Sequence, residues 1–112
     1  MNVIRAYGGG ELHVNDATYR GAVILSASTV LSEPDIQKLD DLIGIETPRV
    51  LALEPELVLL GTGTVQVFPP ASFGAQFLRA GIGFEVMDTG AACRTFNVLV
   101  GERRRVVAML LV

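Results

Sequence analysis

The 112-residue sequence predicts an α/β fold, a three-layer single domain over residues 1–112, with a central mixed β-sheet, helices on both faces and an N-terminal β-hairpin. Three observations lead there. From Glu56 to Val112 apolar strand-like runs alternate with helical spacing, the pattern of crossovers between parallel strands. Two of those strands, Glu56 to Leu60 and Arg105 to Val112, are nearly unbroken apolar runs, as strands covered on both faces require. Near the start, Gly8, Gly9 and Gly10 divide two short strand-like segments, so a tight reversal adds antiparallel pairing to the sheet.

Val3 to Tyr7 and Glu11 to Val14 are the two arms of that hairpin, and Asn15 with Asp16 marks a second turn. Ala22 to Ser26 is a short apolar strand. From Ser32 the pattern turns helical: Ser32 is a candidate cap, Pro34 suits a first turn, and Ile36, Leu39, Leu42 and Ile43 recur at helical spacing. Thr47 and Pro48 repeat the cap-then-proline signal, predicting a helical turn from Pro48 to Leu53. After the strand ending at Leu60, Val65 to Phe68 alternates like a short strand stopped by Pro69 and Pro70. Pro70 then starts a helix to Ala80, with Phe73, Phe77 and Ala80 as its apolar stripe and Gly81 as its stop. Gly74 weakens that helix by about 1 kcal/mol relative to alanine, so the phenylalanines must hold it by packing. Gly83 to Met87 is a strand and Asp88 an N-cap, and Ala92, Phe96 and Leu99 share one face of a helix reaching about Val100. No repeat, low-complexity segment or linker interrupts the chain.

Composition narrows the function classes. A chain of this length with half its residues hydrophobic buries one core without metal or disulfide. Its net charge of -3 has the wrong sign for a general nucleic-acid binder. Cys93 is the only cysteine and His13 the only histidine, so multi-ligand zinc or iron sites cannot form within one chain, and no metal or cofactor is expected. The longest aliphatic run, Val106 to Val112, is far short of a membrane helix, and the first residues lack a signal-peptide core. A cytoplasmic protein without membrane insertion is the expectation. The high hydrophobic fraction is compatible with a homo-oligomer.

Catalytic constellations are scarce. A Cys93–His13 pair is chemically conceivable, but Cys93 sits among apolar residues, where a buried small hydrophobe is the commoner role. His13 alternates with Leu12 and Val14 and should face the surface; Glu85 and Asp88 do not form an acid and base pair. Two glycine-bearing loops, Gly61-Thr62-Gly63 and Asp88-Thr89-Gly90, should gather at the carboxyl edge of the parallel strands, where ligands usually bind. The second opens a helix whose free N–H groups favour an anion, and Arg94 adds charge nearby. Against a site stand the incomplete dinucleotide fingerprint, the missing Walker lysine, and Asp88, whose own carboxylate takes the anion's place if it caps. The alternative is that these glycines only permit tight turns and close packing.

Charge is segregated. Glu33, Asp35, Asp40, Asp41, Glu46, Glu54 and Glu56 lie in one stretch against Lys38 and Arg49, while Arg94, Arg103, Arg104 and Arg105 are near the end. These are either solvated faces or complementary docking surfaces, and Arg103 to Arg105 either an exposed turn or a grip for a carboxylate-bearing partner.

The segments LLGTG, FPP and GIGFEVMDTGAACRTFNVLVGE, followed by RRVVAMLLV, resemble a widespread family of small bacterial and archaeal domains. Its mitochondrial relatives include a complex I assembly factor and an adipogenesis-associated domain protein. The resemblance implies a three-layer α/β domain without catalytic residues, and a role in assembling a respiratory or other membrane complex by binding its protein subunits. The family motif falls on Gly61, Thr62, Gly63, Pro69, Asp88, Thr89, Gly90, Ala92, Arg94, Thr95 and Asn97. With no targeting segment, the chain is expected to be a bacterial-type member. The resemblance favours a non-enzymatic interaction protein; the alternative is a binder of, or enzyme on, a small anionic metabolite at the glycine-loop edge.

Overall fold

A computed structural model describes residues 1–45 and 47–112. The chain opens with β1 (Ile4–Gly8), β2 (Glu11–Val14) and β3 (Ala17–Tyr19), which pair antiparallel in that order as a small sheet of their own. Gly9 and Gly10, both at positive φ, turn the predicted hairpin. Asn15, at φ 53°, turns the second reversal into β3, a strand too short and exposed to show in the pattern.

The central sheet has five strands in the order β5 (Val30–Glu33), β4 (Ala22–Leu25), β8 (Val106–Leu111), β6 (Leu57–Gly61) and β7 (Gly83–Met87). It is mixed, as expected: β7, β6 and β8 are parallel neighbours, and β4 is antiparallel to both β8 and β5. The antiparallel part therefore comes from β4 and β5, and not from the glycine hairpin, whose strands form the separate sheet. The apolar runs of β4, β6 and β8 are buried because both faces are covered.

Alternation along these strands divides the core in two. Val23, Leu25, Leu59, Val106, Ala108 and Leu110 face one side, where α4 (Thr89–Gly101) contributes Ala92, Phe96 and Val100 and the small sheet contributes Ile4, Leu12 and Val14. Ala22, Ile24, Val58, Leu60, Val107 and Met109 face the other, against α1 (Leu39–Ile45), α2 (Thr47–Leu51) and α3 (Ala71–Arg79). Helices thus cover both faces.

Two elements differ from the sequence pattern. The helix predicted from Ser32 begins only at Leu39, because Ser32 lies in β5 opposite Val23. Pairing with β4 overrides the capping signal, and Pro34 ends the strand rather than starting a helix. Val65 to Phe68 is not a strand. The Thr62 hydroxyl donates to the Val65 carbonyl at 2.6 Å and accepts from Val67 N at 3.0 Å, curling this segment over the end of β6. Pro70 is the residue before α3 and not its first helical position.

The helices that connect the parallel strands carry the expected end signals. Asp88 caps α4 by accepting from Ala91 N at 2.8 Å, and Gly81, at φ 77°, follows α3. Gly74 has a packing role that its helix propensity hides: a Cβ there would lie 2.7 Å from Phe84 Cδ2. Phe84 in turn stacks on Phe77 and meets Phe73 edge-on, with centroids 5.5 Å apart in both pairs.

Candidate functional site

The two glycine-bearing loops lie side by side at the carboxyl ends of β6 and β7. Thr62 N donates to Met87 O at 3.0 Å, Gly63 N to Thr89 Oγ1 at 2.8 Å, and Thr89 N to Gly63 O at 2.8 Å. The Thr89 hydroxyl also donates to Leu111 O at 2.6 Å, so one side chain joins the ends of three central strands. Gly61 is required at this junction: a Cβ would lie 2.9 Å from Leu110 Cδ2 and 3.1 Å from Thr89 Cα.

Both threonines are buried and their hydroxyls satisfied from within, Thr62 by its own loop and Thr89 by Gly63 and Leu111. The Asp88 carboxylate is held by the first turn of α4. Neither Phe68 nor Phe96 plugs the edge: Phe96 lies in the core, and Phe68 is exposed elsewhere, beside α3.

The wall of the edge is Tyr7, which the sequence pattern did not single out. Its ring covers Gly90, where a Cβ would meet Tyr7 Cε2 at 2.8 Å, and its hydroxyl accepts from Arg94 Nη1. Between the hairpin tip and Gly63, Thr89, Gly90 and Arg94 runs an open crevice of about 400 Å³. Nothing local marks Tyr7, because its partner Arg94 lies 87 residues away. Asn97, one of the family-motif positions, makes a comparable long-range tie. Its amide accepts from Ile4 N at 3.0 Å and donates to Ile4 O at 2.8 Å, fastening β1 to α4.

Arg103, Arg104 and Arg105 occupy the turn between α4 and β8, far from that crevice along the strands. Arg103 is exposed and in the left-handed region, at φ 63°. Arg104 Nε lies 3.3 Å from Glu56 Oε1, Arg105 N donates to the same carboxylate at 2.7 Å, and Arg105 Nε donates to Glu54 O at 3.3 Å. The acidic and basic stretches therefore meet within the chain at Glu54 and Glu56. The Arg105 backbone bond, followed by the charges of Arg104 and Arg105, holds the Glu56 carboxyl below the usual range against the opposing effect of burial. Glu33 pairs with Arg49, and Glu46 lies outside the described residues.

The two residues considered for nucleophilic chemistry are apart in function. His13 lies beside Glu11 at the half-exposed face of β2, while Cys93 is buried in the α4 core. Burial pushes the Cys93 thiol up to about 11, against the smaller pull of Arg94, which removes the thiolate that nucleophilic attack needs. Among the described residues no group of three or more His, Cys, Asp or Glu side chains is arranged to hold a metal ion, and no helix is long and apolar enough to cross a membrane.

The chain is 36% identical over 110 residues to the 13 kDa major membrane protein of Francisella tularensis subsp. holarctica, spanning 96% of this chain and 88% of that protein. The crystal structure of a Bordetella parapertussis protein superposes with a TM-score of 0.87 at 37% identity, covering 98% of this chain and 94% of that one. A shorter similarity, 41% over 61 residues, links the chain to NADH dehydrogenase [ubiquinone] 1 alpha subcomplex assembly factor 3 of Danio rerio, over 53% of this chain and 35% of that protein. From residue 4 to residue 111 the sequence matches one family throughout, and the chain belongs to it: the family described as a protein of unknown function (DUF498/DUF598).

Proposed function

We propose that this chain is a single, non-enzymatic interaction domain that assists the assembly of a respiratory or other membrane complex by binding its subunits. The observation that carries the reading is how the family-motif polar groups are used. Thr62, Asp88, Thr89 and Asn97 all bond to backbone inside the domain. Residues committed to holding strand ends, a helix start and the β1–α4 contact together build a scaffold and leave recognition to the outer surface. The similarity to an assembly factor supports the same direction, although the chain spans about a third of that protein. The reading keeps the chain cytoplasmic, at the membrane's surface, and offers Arg103, which is exposed and has no ion pair among the described residues, to an acidic partner. Affinity purification from the native cell at native salt should recover subunits of a membrane complex. Recovery of the chain alone would defeat the proposal.

The open crevice favours a second reading, a small anionic metabolite bound beside Gly63, Asp88, Thr89, Gly90 and Arg94, with Glu11 also on the lining; Gly61 and Thr62, named with them from the sequence, lie behind this surface and do not line it. Its volume suits a small ligand and Arg94 stands at its wall. A ligand at 100 times its dissociation constant adds about 2.7 kcal/mol of stability. A metabolite panel without a melting shift removes this reading.

A further inference from the structure

Among the described residues the central sheet ends at β7, which pairs with β6 and has no strand on its other side. Gly83 N donates to Glu56 O at 2.9 Å and Met87 O accepts from Thr62 N at 3.0 Å, so residues 83, 85 and 87 turn their backbone groups toward β6. Alternation then directs the N–H and C=O of Phe84 and Val86 outward. Of these, the Val86 carbonyl accepts from the Gln66 side chain at 3.0 Å, a single exposed amide in place of a strand.

Beside this edge lies an apolar groove of about 450 Å³, walled by Phe68, Pro70, Leu78, Phe84 and Val86. Phe68 is 74% exposed and Leu78 62%, and Val65 and Val67 stand exposed on the adjoining loop. An open sheet edge next to a cluster of exposed large apolar side chains is the arrangement that accepts an added strand. On the opposite face of β7, Glu85 is exposed and has no ion pair among the described residues.

That carboxylate selects the occupant. A second copy docked antiparallel through the outward groups of Phe84 and Val86 would set Glu85 directly opposite its own counterpart, and like charges in that position repel. We infer that β7 receives an extended segment of a different protein, with apolar residues on either side of a lysine or arginine. The basic side chain meets Glu85 and the flanking apolar pair enters the groove between Phe68, Leu78 and Phe84. The inference rests on reading the chain as an interaction domain and names the surface and the partner's chemistry.

The probe is a blocked heptapeptide, Ser-Thr-Val-Lys-Val-Thr-Ser, titrated into isotope-labelled protein, with a twin carrying glutamate at the centre. The lysine peptide should shift the Phe84 and Val86 amide resonances, slow their hydrogen exchange, and bind about fivefold more tightly than its twin, the effect of one cross-strand charge pair. In Glu85→Lys the preference should reverse, and Leu78→Asp, a change on exposed surface, should weaken both peptides. No response at Phe84 and Val86 up to millimolar peptide overturns the inference. So does equal binding of both peptides by both proteins, which is apolar adhesion only. Concentration-dependent dimers abolished by Leu78→Asp, or binding to phosphatidylglycerol vesicles abolished by Phe68→Asp without a peptide response, would assign the edge to a second copy or to lipid instead. If wild type and Leu78→Asp capture the same membrane-complex subunits from the cell, the edge assignment fails while the interaction reading stands. Capture by neither, with the peptide response intact, has the opposite meaning.

Discussion

Replacing Thr89 by valine keeps the shape of the side chain and removes the hydroxyl on which the ends of three strands converge. The native group accepts from Gly63 N at 2.8 Å and donates to Leu111 O at 2.6 Å, and Thr89 is only 6% exposed. Each such bond contributes about 1 kcal/mol net, and a partner left unmatched costs about 1 to 3 kcal/mol when fully buried. Gly63 and Leu111 are half-buried, so water restores part of what is lost, and the expected destabilisation is about 2 to 3 kcal/mol. For a domain of this size that corresponds to about 8 to 12 °C in Tm. The control is Thr89→Ser, which retains both bonds and gives up one methyl group, about 1 kcal/mol. Urea unfolding should show a lower midpoint for the valine variant at an unchanged slope. A valine variant within about 0.5 kcal/mol of wild type, or a serine variant equally damaged, would refute the account of this junction.

Gly74→Ala should destabilise by about 1 kcal/mol although alanine is the better helix former, because the new Cβ lies 2.7 Å from a Phe84 ring that Phe73 and Phe77 hold in place; a raised Tm would contradict this. The Cys93 thiol should resist alkylation at pH 8 until urea unfolds the chain. Its raised pKa means that the folded state holds the proton longer, so its contribution to stability is complete below about 9 and is lost as pH rises toward about 11, a decline that Cys93→Ala should lessen in pH-dependent melting. Glu56 has the opposite sign: its lowered pKa stabilises the fold fully above the ordinary value of 4.5, and that contribution is lost progressively as pH falls from there through the lowered folded-state value. Glu56→Gln should flatten the acid limb of the stability profile, and an unchanged limb would show that the Arg104 and Arg105 contacts are immaterial.

The candidate edge was legible in part. Asp88 and the two Gly-Thr loops announced themselves because capping chemistry and chain reversal are local, and their meeting followed from parallel strands sharing an edge. How their groups are used was not legible. A threonine hydroxyl pointing to a ligand and one tying Gly63 to Leu111 are written with the same letter, and the difference lies in a strand end 22 residues away.

Local chemistry in the sequence determined β6, β7 and β8 with the two helices between them, and the hairpin at Gly9 and Gly10, because apolar period, caps and glycine turns depend on near neighbours. Tertiary structure decided what only distant contacts can: β5 in place of an earlier helix, since β4 offered Ser32 a partner, and a loop in place of a strand at Val65 to Phe68, since Thr62 bonded its backbone. It also supplied Tyr7 as a wall of the crevice and left β7 as an open edge. Side-chain periodicity reports which face of an element is buried, but the neighbour that buries it is chosen by the packing of the whole chain.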